Sequence, residues 1–327
     1  MDAVAHYLET FQDLQRRKRW STGTNFLRFA ALTLAASDVT EPRPDLEATA
    51  KALADEAGSF SPLASAVRHS VAALLIRRGL EPGPVVRRVK ETLALFKQHR
   101  LRKGGTAPVL AALLLVLDGG GKLRSDATVA RMSSIIDRWS KDHFFLTGID
   151  DYPMAAIHAT RDLSVEQLGV EVEQIYQQLH RAGFSKCQQL QLVSHLLLFS
   201  GFGPREGAIR FQTIATALKK AGRRVWSGQY DEVAMLVLSG IHPDEVVPRV
   251  LDVRDRLRAA KPRPSGDIAF SIAAGLVLAE EAQKAKSAID VADVSTLRSV
   301  QAVIEAQQAA MVACMAACCG AAVATSS

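Results

Sequence analysis

Residues 60–117 read FSPLASAVRHSVAALLIRRGLEPGPVVRRVKETLALFKQHRLRKGGTAPVLAALLLVL, and the spacing within this stretch decides the fold. Val85, Val86, Val89, Leu93 and Phe96 recur at intervals of three and four, with Arg87, Arg88, Lys90 and Lys97 between them. That period sets apolar groups along one stripe of a helix and leaves the cations on the other side. The run from Ala107 to Leu117 is apolar throughout; its eleven residues are too few to span a bilayer and read as a buried helix. Glu81-Pro82-Gly83-Pro84 and Gly104-Gly105 separate the segments, because Pro and Gly stop one helix and start the next.

The same layout returns twice, from Asp151 (DYPMAAIHATRDLSVEQLGVEVEQIYQQLHRAGFSKCQQLQLVSHLLLFSG) and from Gln229 (QYDEVAMLVLSGIHPDEVVPRVLDVRDRLRAAKPRPSGDIAFSIAAGLVL). Each copy has a small-residue helix, a break, an amphipathic helix, a second break and a very apolar helix. Val85, Leu168 and Val246 fall in register, as do Phe96, Leu179 and Leu257. Convincing alternation of β-branched residues is absent. The expected fold is therefore all-α: stacked helical hairpins in a solenoid-like array of four-helix units roughly 80 residues long. The expected organisation is an N-terminal helical cap (1–59), three units (60–149, 150–227 and 228–305) and a helical tail (306–327).

The composition is that of a folded globular chain, with 48% hydrophobic and 23% charged residues among 327. The net charge of +6 is unevenly spread. Between Phe60 and Gly104 ten basic residues meet only Glu81 and Glu91, a local balance of +8. Arg87, Arg88, Lys90, Lys97, Arg100, Arg102 and Lys103 form the densest part and predict a surface that faces an acidic partner or another polyanion. The four cysteines make no disulfide framework, and the N-terminus MDAVAHYLET lacks the apolar core of a secretory signal. Both features lead us to expect a reducing, cytoplasmic setting.

Motifs with chemistry are few. Gly119-Gly120-Gly121-Lys122 is followed by Leu123, has no Gly at the upstream position and follows no strand, so it reads as a connection rather than a phosphate loop. No metal-ligand spacing, nucleotide loop or nucleophile–base pair occurs, and neither a metal nor a cofactor is expected. The best concentration of titratable groups is Asp150 and Asp151 with His158, to which His195 in LVSHLLLF is added as a polar residue on an apolar helix. Acid–base or cation work is one use of adjacent carboxylates. Capping is the commoner one, since Asp complements the free N–H groups of a first helical turn and Pro153 suits its start. Arg16-Arg17-Lys18-Arg19-Trp20 and Arg223-Arg224-Val225-Trp226 join cations to an aromatic, a pairing that serves phosphate contact and base stacking as well as plain solvated helix ends. The charge-free stretch from Ala306 to Ser327 carries Cys314, Cys318 and Cys319, candidates for lipidation or association.

FSPL near residue 60, LRKGGTAPVLAALLLV, FFLTGIDDYPMAA, GFSKCQQLQLVSHLLLFSG and the Ala-rich tail together resemble an uncharacterised bacterial, all-helical family, the domain of unknown function four-thousand-and-three. The resemblance covers almost the whole chain. It implies a mainly helical protein without an assigned activity, and it supplies no catalytic residues.

The function expected from the sequence is a non-enzymatic helical-repeat scaffold or adaptor for a protein partner. One alternative is a nucleic-acid binder, or an enzyme of the helical-repeat DNA glycosylase kind, using Trp139, Trp226 and Asp150 or Asp151. That alternative needs the basic residues and the tryptophans on one face. A second is a peripheral adaptor held at a membrane surface by the tail.

Overall fold

The computed structural model describes residues 2–17, 23–35, 45–65, 67–122, 124–142 and 147–286. Among these the chain is all-α, with no strand. The helices are α1 (Ala3–Arg17), α2 (Thr24–Ala35), α3 (Leu46–Ala57), α4 (Arg68–Arg78), α5 (Pro82–Gln98), α6 (Thr106–Asp118) and α7 (Asp126–Asp142). They continue as α8 (Tyr152–His158), α9 (Val165–Arg181), α10 (Gln188–Leu197), α11 (Pro204–Lys220), α12 (Tyr230–Leu238), α13 (Pro243–Ala259) and α14 (Gly266–Lys286). Tail residues 306–327, with Cys314, Cys318 and Cys319, lie outside the described residues, as do Lys18, Arg19 and Trp20. No helix among the described residues is long and apolar enough to cross a membrane.

Odd- and even-numbered helices divide the labour. Odd-numbered α5, α7, α9, α11 and α13 are amphipathic. In α9, Leu168, Val172, Ile175, Tyr176 and Leu179 face inward, and the rest of the helix carries Glu, Gln and His. The even-numbered helices are enclosed: every residue of α6 from Pro108 to Leu117 is buried, as is every residue of α4 from His69 to Ile76. Burial on all sides is what an apolar circumference requires. Each odd-numbered outer helix packs on the inner helix that follows it, and outer helices also pack on the next outer ones. The Gly119–Lys122 motif is the turn between α6 and α7.

The helix ends are locally encoded. Asp45 caps α3 by accepting from the N–H groups of Glu47 and Ala48 at 2.7 and 3.1 Å, and Ser164 caps α9 through Gln167 N at 3.1 Å. Pro82, Pro204 and Pro243 begin α5, α11 and α13, where a missing N–H goes unneeded. Gly79 ends α4 at φ 62°, a left-handed conformation that lets Leu80 N reach back to Leu75 O at 3.0 Å.

Two further features organise the packing. A tyrosine at the start of an inner helix twice receives the backbone N–H of a preceding connection: Arg102 N donates to Tyr152 Oη at 3.1 Å, and Ser185 N to Tyr230 Oη at 3.4 Å. Each tyrosine also meets a phenylalanine edge-on, Phe96 and Phe184 respectively. The first and last described helices also meet. Helix α14 packs on α2 and α1, and α13 on α1. Arg256 pairs with Asp2, Arg28 donates to the carbonyl of Pro262, and Gly275 lies so close to Leu32 that a Cβ there would stand 2.7 Å from Leu32 Cδ2.

Candidate functional site

Asp150, Asp151, His158 and His195 come together along one seam, where α8 and its leading turn pack on α10. At one end, His158 and His195 are both fully buried with ring centroids 6.0 Å apart. Trp139 of α7 lies over His195 at 3.8 Å and stands edge-on to His158 at 5.7 Å. Phe199 stacks on His158 at 4.5 Å, and the Arg161 guanidinium sits 4.7 Å from the Phe199 ring. Burial, then the neighbouring His195 and Arg161, hold the His158 imidazole well below the usual histidine range. Both the indole N–H of Trp139 and the side-chain oxygen of Gln191, one turn before His195, are buried without a hydrogen-bond partner among the described residues.

At the other end, Gln188 donates to Asp150 at 3.3 Å and Gln191 to Thr147 at 3.0 Å. Asp151 is 3% exposed and accepts the Gly148 N–H at 2.8 Å, closing the turn that leads into α8. Burial pushes its carboxyl up to about 7, against the pull of the Gly148 N–H and with some help from Asp150. Asp151 bonds back to the leading turn and makes no side-chain bond to the first-turn N–H groups of α8, so the capping anticipated from the sequence is not what it does. The length of α8 separates the carboxylates from the imidazoles, so the four groups share a seam without forming an acid–base pair. Among the described residues no group of three or more His, Cys, Asp or Glu is placed to hold a metal ion.

The seven basic residues lie elsewhere, on the outer helix α5 and the connection that follows it, and all seven are exposed. Arg88 pairs with Glu91 at 2.6 Å, and Lys90 donates to the Glu56 carbonyl at 2.9 Å. Among the described residues, Arg87, Lys97, Arg100, Arg102 and Lys103 have no carboxylate within ion-pair distance. Arg87, Lys90 and Lys97 follow one stripe of α5, and Arg100, Arg102 and Lys103 extend the charge past its C-terminal end, where cations complement the helix dipole. Trp139 does not share this face: it is 2% exposed inside the seam and presents no stacking surface. Trp226, by contrast, is 58% exposed, on the connection between α11 and α12.

One buried acid escaped the sequence reading. Glu232 on α12 is 4% exposed and accepts the Ser271 hydroxyl from α14, and burial followed by Asp231 raises its carboxyl well above the usual range. In the sequence it reads as one more acid of a first helical turn. The signal available was the apolar run Val233–Leu238 that follows directly.

The family described as protein of unknown function (DUF4003) matches residues 10–309. This chain belongs to the DUF4003 family. Among relatives of this DUF4003 chain, the uncharacterized protein YeaA of Bacillus subtilis (strain 168) is 24% identical over 324 residues, covering 95% of this chain and 93% of that one. No solved structure matches the DUF4003 chain.

Proposed function

We propose that the chain is a non-enzymatic helical frame that engages an acidic protein partner through α5 and the 99–105 connection. The observation that supports this is the run of exposed cations at Arg87, Lys97, Arg100, Arg102 and Lys103, unneutralised among the described residues. Clustered like charges oppose folding through mutual repulsion, and they speed encounter with a surface of opposite sign. The helix beneath is fixed by Val85, Val86, Val89 and Phe96, so the charges are presented on a rigid element.

The test is affinity capture from nuclease-treated extract, comparing wild type with an Arg87→Glu, Lys90→Glu, Lys97→Glu variant. Wild type should retain acidic proteins in a salt-sensitive manner, and the triple variant should lose them. The same partners captured by both proteins would remove α5 as the binding surface.

A further inference from the structure

A second basic surface lies away from α5, where the α11–α12 and α13–α14 connections adjoin. The two are tied through Asp267 near the start of α14, which accepts from Gln229 Nε2 at 2.7 Å and from Arg223 at 3.4 Å. From Lys219 to Trp226 the sequence is KKAGRRVW, and from Arg258 to Arg263 it is RAAKPR, with no acid in either. Lys219, Lys220, Arg224, Lys261 and Arg263 are exposed. Among the described residues none of these five, nor Arg258, has a carboxylate within ion-pair distance.

Two features distinguish this surface from a merely solvated one. The first is a concavity of about 520 Å³ lined by Arg258, Lys261 and Arg263 together with Asp255. Asp255 is already paired with Arg254 at 2.8 Å, so the concavity is left with an excess of positive charge. It is open rather than enclosed, as a groove that tracks a strand backbone would be. The second is Trp226, 58% exposed, with the Arg224 guanidinium held 4.0 Å from its ring. Exposing an indole is unfavourable in water, and a cation fixed beside it orients the ring.

We propose that these two connections form a binding site for single-stranded nucleic acid. Phosphates rest on Lys261, Arg263 and Arg258 in the concavity and on Lys219 and Lys220 of the other connection, and an unpaired base stacks on Trp226. Interleaved cations and an exposed aromatic are the means by which proteins hold an unpaired strand without reading its sequence. A duplex offers no free base face to the indole. An anionic bilayer or an acidic protein would satisfy the charge but would not need the concavity and the aromatic together. The proposal does not rest on the reading of α5.

The test uses the full chain and fluorescein-labelled oligo(dT) and oligo(U) twenty-mers, followed by anisotropy over a salt series, with circular dichroism as the folding control. Wild type should bind, with an affinity that falls as salt rises. Trp226→Ala should weaken binding roughly tenfold, the scale of one stacked base. Lys261→Gln with Arg263→Gln should weaken it and lower the log–log salt slope by roughly one to two, as expected for two lost phosphate contacts on a single strand. The α5 triple variant should bind the oligonucleotides as wild type does. Failure of wild type to bind either strand would overturn the proposal. So would binding that ignores both Trp226→Ala and the Gln pair. Retention on anionic vesicles, with no oligonucleotide binding, would reassign the surface to a membrane.

Discussion

Asp151 precedes and His158 ends the same short helix, and burial acts on them in opposite senses. The Asp151 carboxyl rises from 3.8 to about 7. Between those values the folded chain keeps a proton that the unfolded chain has released, so its contribution to stability is lost as pH rises across the window. His158 is depressed below 6.5. Below that value the unfolded chain takes up a proton that the folded chain refuses, so stability falls as pH drops. Asp151→Asn keeps an oxygen to accept from Gly148 N and removes the buried charge. It should be more stable than wild type at pH 8, by on the order of 3 kcal/mol, with the gap closing toward pH 4. His158→Phe keeps a ring against Phe199 and Trp139 and should flatten the acid side of the profile. Urea melts at several pH values check both; an Asn variant with the same offset at pH 4 and pH 8 would show that Asp151 is ionised in the fold. The sequence marked Asp151 as a residue of the turn before a helix, because Asp before Tyr-Pro is a local signal, but not that it would be buried and bond back to Gly148 rather than cap α8. It concealed the partnership of His158 and His195, which rests on packing between residues 37 positions apart.

Among the helices, the legible property was circumference. A stripe of Val and Phe between cations made α5 an outer helix, and an unbroken apolar run made α6 an inner one, because burial on one side or on all sides leaves different periods. Which neighbour each face would meet was not legible, since Leu against Leu carries little specificity. The recurring tyrosines provide part of it. Tyr152 fixes the 99–105 connection through Arg102 N, so the placement of Arg100, Arg102 and Lys103 depends on a residue of the next pair of helices. Tyr152→Phe preserves the edge contact with Phe96 and removes the acceptor. It should destabilise the chain by about 1 kcal/mol, the usual net worth of one such bond. Amide exchange at Arg102 should quicken while the α6 core stays protected. Tyr230→Phe should have a smaller effect, since its bond from Ser185 N is longer, at 3.4 Å. No loss in either variant would show that ring packing, not the hydroxyl, carries both contacts.

At the scale of the whole molecule, the meeting of the first and last described helices changes what the fold should do when it unfolds. In an open stack each unit leans only on its neighbours, and terminal units fray independently. Here α1 touches α13 and α14, Arg256 pairs with Asp2, and the close approach of Leu32 to Gly275 seats α2 against α14. None of this was visible in the sequence, where the contacting residues stand more than 200 positions apart. Surface ion pairs contribute little, so the apolar contacts of α1 and α2 should carry most of the coupling. Deleting residues 2–17 removes buried Val4, Tyr7, Phe11 and Leu14 from that junction. Hydrogen exchange should then quicken in α2, as any model predicts, and also in α13 and α14, while α7–α10 on the far side keeps its protection. Gly275→Leu, which forces a side chain against Leu32, should give the same pattern more weakly, since overfilling a tight contact typically costs about 1–3 kcal/mol. If the deletion quickens exchange in α2 and leaves α13 and α14 unchanged, the first and last described helices touch without supporting each other, as in an open stack.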